Sequence, residues 1–101
     1  MTKCVVLNSS KPYSSEQESL LLGFIEQGID LFSAVGVDCQ GWEEAMDWLC
    51  IELDTSGKTP GAFCVTTAHP NESLAEVIEF AKEWRGEGKD KEEVEVSIVE
   101  I

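Results

Sequence analysis

The chain has 101 residues, of which 43% are apolar, and it carries a formal net charge of -13 from 20 acidic and 7 basic residues. This length predicts one domain over residues 1–101, and the apolar fraction suffices for a modest core. The surplus of negative charge disfavours direct binding to nucleic acid or to an anionic membrane and favours a basic partner. The plainer alternative is that the acidity only keeps a small protein in solution.

No segment of the sequence predicts export or a membrane span. The apolar run Cys4–Leu7 is too short for a signal peptide, and no other stretch reaches the length of a membrane span. The cysteines at positions 4, 39, 50 and 64 form no C-x-x-C pair, so neither a zinc ribbon nor a redox dithiol is indicated. We therefore expect a cytoplasmic protein with free thiols, no bound metal and no cofactor.

Apolar runs alternate with stretches of helical periodicity along the chain. The first and third predicted helices carry capping-box spacing at their starts. The predicted elements, in chain order, are a strand at Cys4–Leu7, a helix from Ser14 to Gly28, a strand at Leu31–Val35, a helix from Trp42 to Leu53, a strand within Ala62–Ala68, a helix from Ser73 to Trp84, a mixed-charge loop at residues 85–91 and a strand at Val94–Ile101.

The order β-α-β-α-β-α-β predicts a single α/β three-layer sandwich with a mostly parallel, four-stranded sheet. Right-handed crossovers favour the strand order 2-1-3-4, with the first helix on one face and the other two helices opposite. The two most apolar strands, the first and the third, then take the central positions. The last strand is assigned as parallel by default, although the sequence leaves its orientation open.

Polar residues follow several of the predicted strands. In an open parallel sheet, ligands bind beyond the carboxyl ends of the strands, where helix N-termini add free amide donors. Three polar loops meet there in the predicted topology. The sequence therefore predicts a ligand-binding crevice lined by Ser9, Ser10, Lys11, Asp38, Cys39, Thr67 and His69.

Cys39 and His69 are the candidates for catalysis. A thiolate near a helix N-terminus and a histidine can act as nucleophile and general base if they lie within hydrogen-bond reach. The plainer alternatives are a partly buried cysteine at a turn and a loop histidine that bonds a nearby carbonyl. Since His69 is the only histidine, a metal site is not indicated. We favour a non-catalytic domain and keep an enzyme or ligand-binding site at Cys39 and His69 as the alternative.

The second predicted helix has more apolar residues than one face can bury. Trp48 and Ile51 lie off the stripe that begins at Trp42 when the helix is projected at about 100° per residue. Either the helix ends near Cys50, or these two residues belong to an exposed patch. In the second case acidic side chains surround them, as in many protein-binding surfaces. The plainer alternative is an ordinary solvated helix face with Trp48 folded onto its neighbours. The residues predicted to bind a partner are Glu44, Asp47, Trp48 and Ile51.

Two segments carry recognisable patterns. Asp38–Trp48 contains Cys-x-x-Trp and leads into an acidic helix, and Val65–Val77 contains Thr-Thr-x-His followed by Glu-x-Leu-x-Glu-Val. Together they resemble a family of small, acidic bacterial domains of unknown function, over roughly Gly36 to Trp84. The resemblance implies no known activity, and Ala68 stands where the family pattern has an aromatic residue. The resemblance groups five positions of interest, which are Cys39, Trp42, Asp47, Thr67 and His69.

These observations favour an acidic cytoplasmic protein-interaction domain. An inhibitor or immunity-type protein that covers a basic surface is the form we expect such a domain to take.

Overall fold

The computed structural model describes residues 2–84 and 93–101. In this part of the chain, four parallel strands and three α-helices form the predicted α/β sandwich. The predicted loop at residues 85–91 lies outside the described residues. The elements are β1 (Thr2–Ser9), a 3-10 turn (Ser15–Gln17), α1 (Glu18–Glu26), β2 (Leu31–Gly36), α2 (Cys39–Ser56), β3 (Val65–His69), α3 (Leu74–Glu83) and β4 (Val94–Glu100).

The strand order is β3-β2-β1-β4, so the predicted order 2-1-3-4 is wrong. β2 pairs with β1 on one side and with β3 on the other, and five of its six residues are buried. The prediction counted Ala62, Phe63 and Cys64 as strand, which placed the third strand with the first among the two most apolar strands. These residues precede β3, and Phe63 is 76% exposed. The strand itself contains two threonines and a histidine, which suit a half-covered edge position.

The strand order also decides which helices share a face of the sheet. Two crossovers in the same direction, from β1 to β2 to β3, place α1 and α2 on one face, and the return to β4 places α3 on the other. Phe24 and Met46 accordingly pack with Phe32 in one core cluster, whereas Val77 and Ala81 of α3 belong to a second cluster. The prediction that the second and third helices lie together is therefore wrong.

Helix α2 continues well past Cys50 and ends at Gly57, which adopts a left-handed φ of 78°. Trp42 on its inner face is fully buried, whereas Trp48 is 71% exposed and Ile51 is 47% exposed. Of the two alternatives drawn from the sequence, the exposed patch is therefore correct. No helix in the described part of the chain, α2 included, is long and apolar enough to cross a membrane.

The last strand completes the sheet at the edge beside β1. β4 pairs with β1 in parallel, from Thr2 opposite Val94 to Asn8 opposite Glu100. This confirms the orientation that was assigned by default. Val94 and Val96 are half-buried at this edge, whereas Ile98 is 48% exposed.

The cysteines are free and buried, as small core residues. Cys50 on α2 and Cys64 just before β3 lie with their sulfur atoms 3.9 Å apart. Burial raises the pKa of both thiols, so little thiolate is present at neutral pH. Both residues therefore serve packing rather than nucleophilic chemistry.

Candidate functional site

The residues predicted to line one crevice lie in separate places along the carboxyl edge of the sheet. Ser9 and Ser10 line an open depression of about 600 Å³ between the ends of β1 and β4. Asp38 and Cys39 line a smaller one of about 190 Å³ beside Pro70. The predicted order 2-1-3-4 made β1 and β3 adjacent, so that the loops after them would be neighbours. In the structure β2 stands between β1 and β3, and these two loops are not neighbours. The loops after β1 and β2 are neighbours, since Gly36 lines both depressions and the Val37 N–H donates to the Ser9 carbonyl, whereas the loop after β3 is separated from the loop after β1.

The loop that follows β1 is fixed by hydrogen bonds within the chain. Ser9 Oγ donates to the carbonyl of Lys11, and the Lys11 N–H donates back to Ser9 Oγ at 3.1 Å. Trp42 Nε1 donates to the same carbonyl at 3.1 Å. Ser10 Oγ donates to the carbonyl of Ile101 at 2.7 Å. Both serine hydroxyls are therefore engaged, and the Lys11 side chain is exposed.

Asp38 joins this loop to the start of α2. It is the N-cap residue by position, with a left-handed φ of 54°, but its side chain makes no capping hydrogen bond. Its Oδ2 instead accepts a hydrogen bond from the N–H of Tyr13 at 3.0 Å. Gly41 leaves room for the Asp38 carboxylate, because a Cβ at position 41 would lie 2.5 Å from each oxygen of that carboxylate. Asp38 therefore positions Tyr13.

His69 lies on the α3 face of the sheet with both ring nitrogens engaged. It is 7% exposed, and its ring centroid lies 5.0 Å from that of Phe80. Nδ1 is 2.8 Å from Oε1 of Glu72, and Nε2 is 2.9 Å from Oγ1 of Thr67. Thr67 Oγ1 is in turn 2.8 Å from the hydroxyl of buried Ser33. These side chains form one hydrogen-bonded series from β2 through β3 to the start of α3.

Cys39 belongs to the core on the opposite face of the sheet. It is 4% exposed and packs in the cluster that α1 and α2 form. Side chains alternate along β3, so Thr67 and His69 point to the α3 face, and both imidazole nitrogens have partners other than Cys39. In residues 2–84 and 93–101, no group of three or more His, Cys, Asp or Glu residues could hold a metal ion.

The outward face of α2 brings together the residues predicted to bind a partner. Projected at about 100° per residue, Trp48 and Ile51 occupy the middle of this face, with Glu44 one turn earlier and Asp47 at the flank. All of them are exposed. We call this surface the α2 face: Glu44, Asp47, Trp48 and Ile51. The helix has five acidic residues and no lysine or arginine, and none of the five has a lysine or arginine partner in the described part of the chain.

A recess beside the α2 face was not predicted from the sequence. It has a volume of about 230 Å³ and lies between the start of α1 and the middle of α2. A signal that could have pointed to it is Tyr13, an aromatic residue directly before the capping box of the first helix, where a hydrophobic staple residue is common. The recess is lined by Tyr13, Glu18, Ala45, Trp48, Leu49 and Glu52.

The fold and the site define a parallel α/β domain, with helices on both faces of its sheet and an acidic helix surface that exposes a tryptophan. The sequence profile described as Domain of unknown function (DUF7684) matches residues 1–101, and the chain belongs to this family. The predicted resemblance to a family of unknown function is confirmed to that extent. No curated protein matches the chain, and no solved structure matches it.

Proposed function

We propose that this domain binds a basic protein through the α2 face and acts by covering the basic surface of that partner. The observation that carries the proposal is the exposure of Trp48 and Ile51 on an unbroken acidic helix. Burial of large apolar side chains against a partner lowers the free energy of the complex. When they lie together and are rimmed by polar groups, they are typical of interaction surfaces.

The charges around these two apolar residues specify the chemistry of the partner. Glu44 and Asp47 carry negative charge that no lysine or arginine of the described residues neutralises. A basic surface is steered toward such charges in solution and places its own charges opposite them in the complex. The central tryptophan then serves as the anchor, as aromatic hot spots do at other interfaces. The expected partner combines lysine or arginine with an apolar pocket that accepts Trp48.

An inhibitor or immunity-type role fits these features. A domain that acts by covering a surface needs no catalytic group of its own, and the α2 face alone would supply the binding. We place this function in a bacterial cytoplasm. The free, buried cysteines support a reducing compartment, and the resemblance of the sequence to bacterial domains supports the origin.

Capture of a basic protein by the tagged domain tests the role of the apolar residues. The test variant is Trp48→Ala with Ile51→Ser, and the matched control is Phe63→Ala, which removes an aromatic residue that is 76% exposed elsewhere. We expect the control to bind like the wild type. The test variant should bind at least about tenfold more weakly, because a hot-spot side chain contributes about 2 kcal/mol or more. Equal binding by all three proteins would show that the α2 face is not the interface.

Charge reversal tests the electrostatic part of the proposal. Glu44→Lys with Asp47→Lys should abolish capture, and the affinity of the wild type should fall as salt is added. The matched control is Glu79→Lys with Glu83→Lys, which makes the same change of net charge on α3, across the sheet. An affinity indifferent to salt, or an equal loss in both charge-reversed proteins, would contradict a specific contact at the α2 face.

A further inference from the structure

We infer that the recess between α1 and α2 receives an arginine side chain of the basic partner, an inference that rests on the proposed function. The recess adjoins the α2 face because Trp48 belongs to both. Its other polar and aromatic walls are Tyr13, Glu18 and Glu52. It therefore offers aromatic rings and two carboxylates within one small concave site of about 230 Å³.

The Tyr13 wall of the recess is held in place by the core. The Tyr13 ring packs edge-on against buried Trp42, with centroids 5.1 Å apart and planes at 78°. The backbone N–H of Tyr13 donates to Asp38, and Trp42 Nε1 donates to the carbonyl of Lys11 in the preceding loop. A wall that is fixed in the free protein loses little conformational entropy when a ligand binds. This wall of the recess is therefore in place before any partner arrives.

The two carboxylates come from different helices and leave the recess negative. Glu18 is the first residue of α1, and Glu52 lies one turn beyond Trp48 on α2. Neither has a cationic partner among the residues that the structure describes. Glu18 and Tyr13 both line the recess, and burial, followed by the negative charge of Glu18, raises the pKa of Tyr13. An apolar side chain in this recess would desolvate the carboxylates without pairing them, which is unfavourable.

The combination of an indole and two carboxylates favours arginine over lysine. A guanidinium group is planar, so it can stack on the exposed Trp48 ring while its forked N–H donors reach carboxylates on more than one side. An ammonium group is a compact, strongly hydrated point charge and cannot do both. Citrulline has nearly the shape of arginine but no charge. It would keep the stacking and lose both ion pairs.

An NMR titration with N-acetyl-arginine methylamide tests the site directly, with the lysine and citrulline analogues as comparison probes. We expect saturable shifts for the Trp48 indole N–H and for the backbone N–H groups of Tyr13, Ala45 and Glu52. The arginine probe should bind about fivefold or more tightly than the citrulline probe, and more tightly than the lysine probe. Equal binding of arginine and citrulline, or shifts that spread over the acidic surface without saturating, would overturn the inference.

Paired variants separate the recess from the general negative charge. Glu18→Gln with Glu52→Gln should weaken the arginine probe about fivefold, because the guanidinium keeps amide oxygens as acceptors but loses two opposite charges. Glu44→Gln with Asp47→Asn removes the same charge from the α2 face outside the recess, and should weaken the probe less than twofold. Equal effects of the two pairs would show an unspecific attraction and overturn the inference.

Failure of the inference and failure of the proposed function give different results. If the probe does not bind but Trp48→Ala with Ile51→Ser abolishes capture, the α2 face binds its partner without an arginine in the recess. The inference is then wrong and the proposed function stands. If the probe binds but no captured protein depends on the α2 face, the arginine site stands and the proposed function is wrong.

Discussion

His69 acts as a structural link, and its hydrogen bonds have a defined direction. A carboxylate only accepts hydrogen bonds, so Nδ1 donates to Glu72. In the neutral imidazole, Nε2 then accepts from the hydroxyl of Thr67, whose oxygen accepts from Ser33. In the described part of the chain, no buried side-chain nitrogen or oxygen lacks a hydrogen-bond partner. The single histidine thus satisfies polar groups at an edge strand.

Replacing His69 with alanine should lower the free energy of unfolding by about 2 kcal/mol, because two hydrogen bonds and the contact with Phe80 are lost. The bond between Thr67 and Ser33 survives, and the Glu72 side chain, 43% exposed, can turn to water. Urea unfolding with an unchanged m-value measures the effect. Glu72→Gln keeps an acceptor for Nδ1 and should stay within about 0.5 kcal/mol of the wild type. A His69→Ala protein within that same range would show that the network adds no stability.

The sequence singles out His69 but not the residues that explain it. Ser33 lies in a strand that is otherwise apolar, and the neighbouring residues give no sign that its hydroxyl makes a hydrogen bond. Its contact with Thr67 follows from the pairing of β2 with β3, in which the two residues stand opposite each other. That pairing is a long-range property of the sheet. The environment of His69 could therefore be predicted only after the strand order was known.

At the scale of elements, local signals predicted the helices well, and the long-range arrangement of strands was missed. Capping boxes and apolar stripes belong to a few adjacent residues, and the start of α3 at Ser73 follows them. The exposure of Trp48 could also be predicted, because no glycine or proline stands between Trp42 and Gly57 to end the helix early. Strand order depends on whether β2 or β3 takes the central position beside β1. The prediction chose the wrong strand because it counted three residues before β3 as part of that strand.

The start of α3 shows how a local capping signal carries a pH dependence. Ser73 Oγ accepts from the Glu76 N–H at 3.2 Å, and Glu76 Oε1 accepts from the Ser73 N–H at 3.0 Å. Hydrogen bonds from the backbone and side chain of Ser73 lower the pKa of Glu76 below its ordinary value of 4.5. The folded state therefore favours the ionised carboxylate. Its contribution to stability is present above pH 4.5 and is lost as the pH falls through the lower, folded-state pKa.

We expect Glu76→Gln to be less stable than the wild type at pH 7, and this difference to shrink as the pH falls below 4.5. Thermal unfolding of both proteins at matched pH values between about 3 and 7 measures it. The control is Glu79→Gln on the same helix, which removes one exposed carboxylate near Lys82 but no capping hydrogen bond. A Glu76→Gln difference that stays constant across the series would mean that the charge of Glu76 is not used at the cap.

At the scale of the whole molecule, the surplus negative charge acts on folding as well as on binding. With a net charge of -13 on 101 residues, the carboxylates repel one another most strongly in the compact state. The α2 face contributes to this repulsion, because its acids have no lysine or arginine partner among the described residues. The arrangement that suits a basic partner therefore lowers the stability of the free domain.

Added salt should consequently stabilise the free domain. Between about 10 mM and about 100 mM KCl the Debye length falls from about 30 Å to about 10 Å, so repulsion between distant carboxylates is screened. If screening relieves about 1 kcal/mol, the Tm rises by about 4–8 °C. Glu79→Lys with Glu83→Lys moves the net charge from -13 to -9, since each replacement adds two charges, and should show a smaller rise. A Tm that is flat or falls with KCl would contradict the argument. The same salt should weaken capture of the basic partner, because repulsion within the domain and attraction between the two proteins arise from the same negative charges.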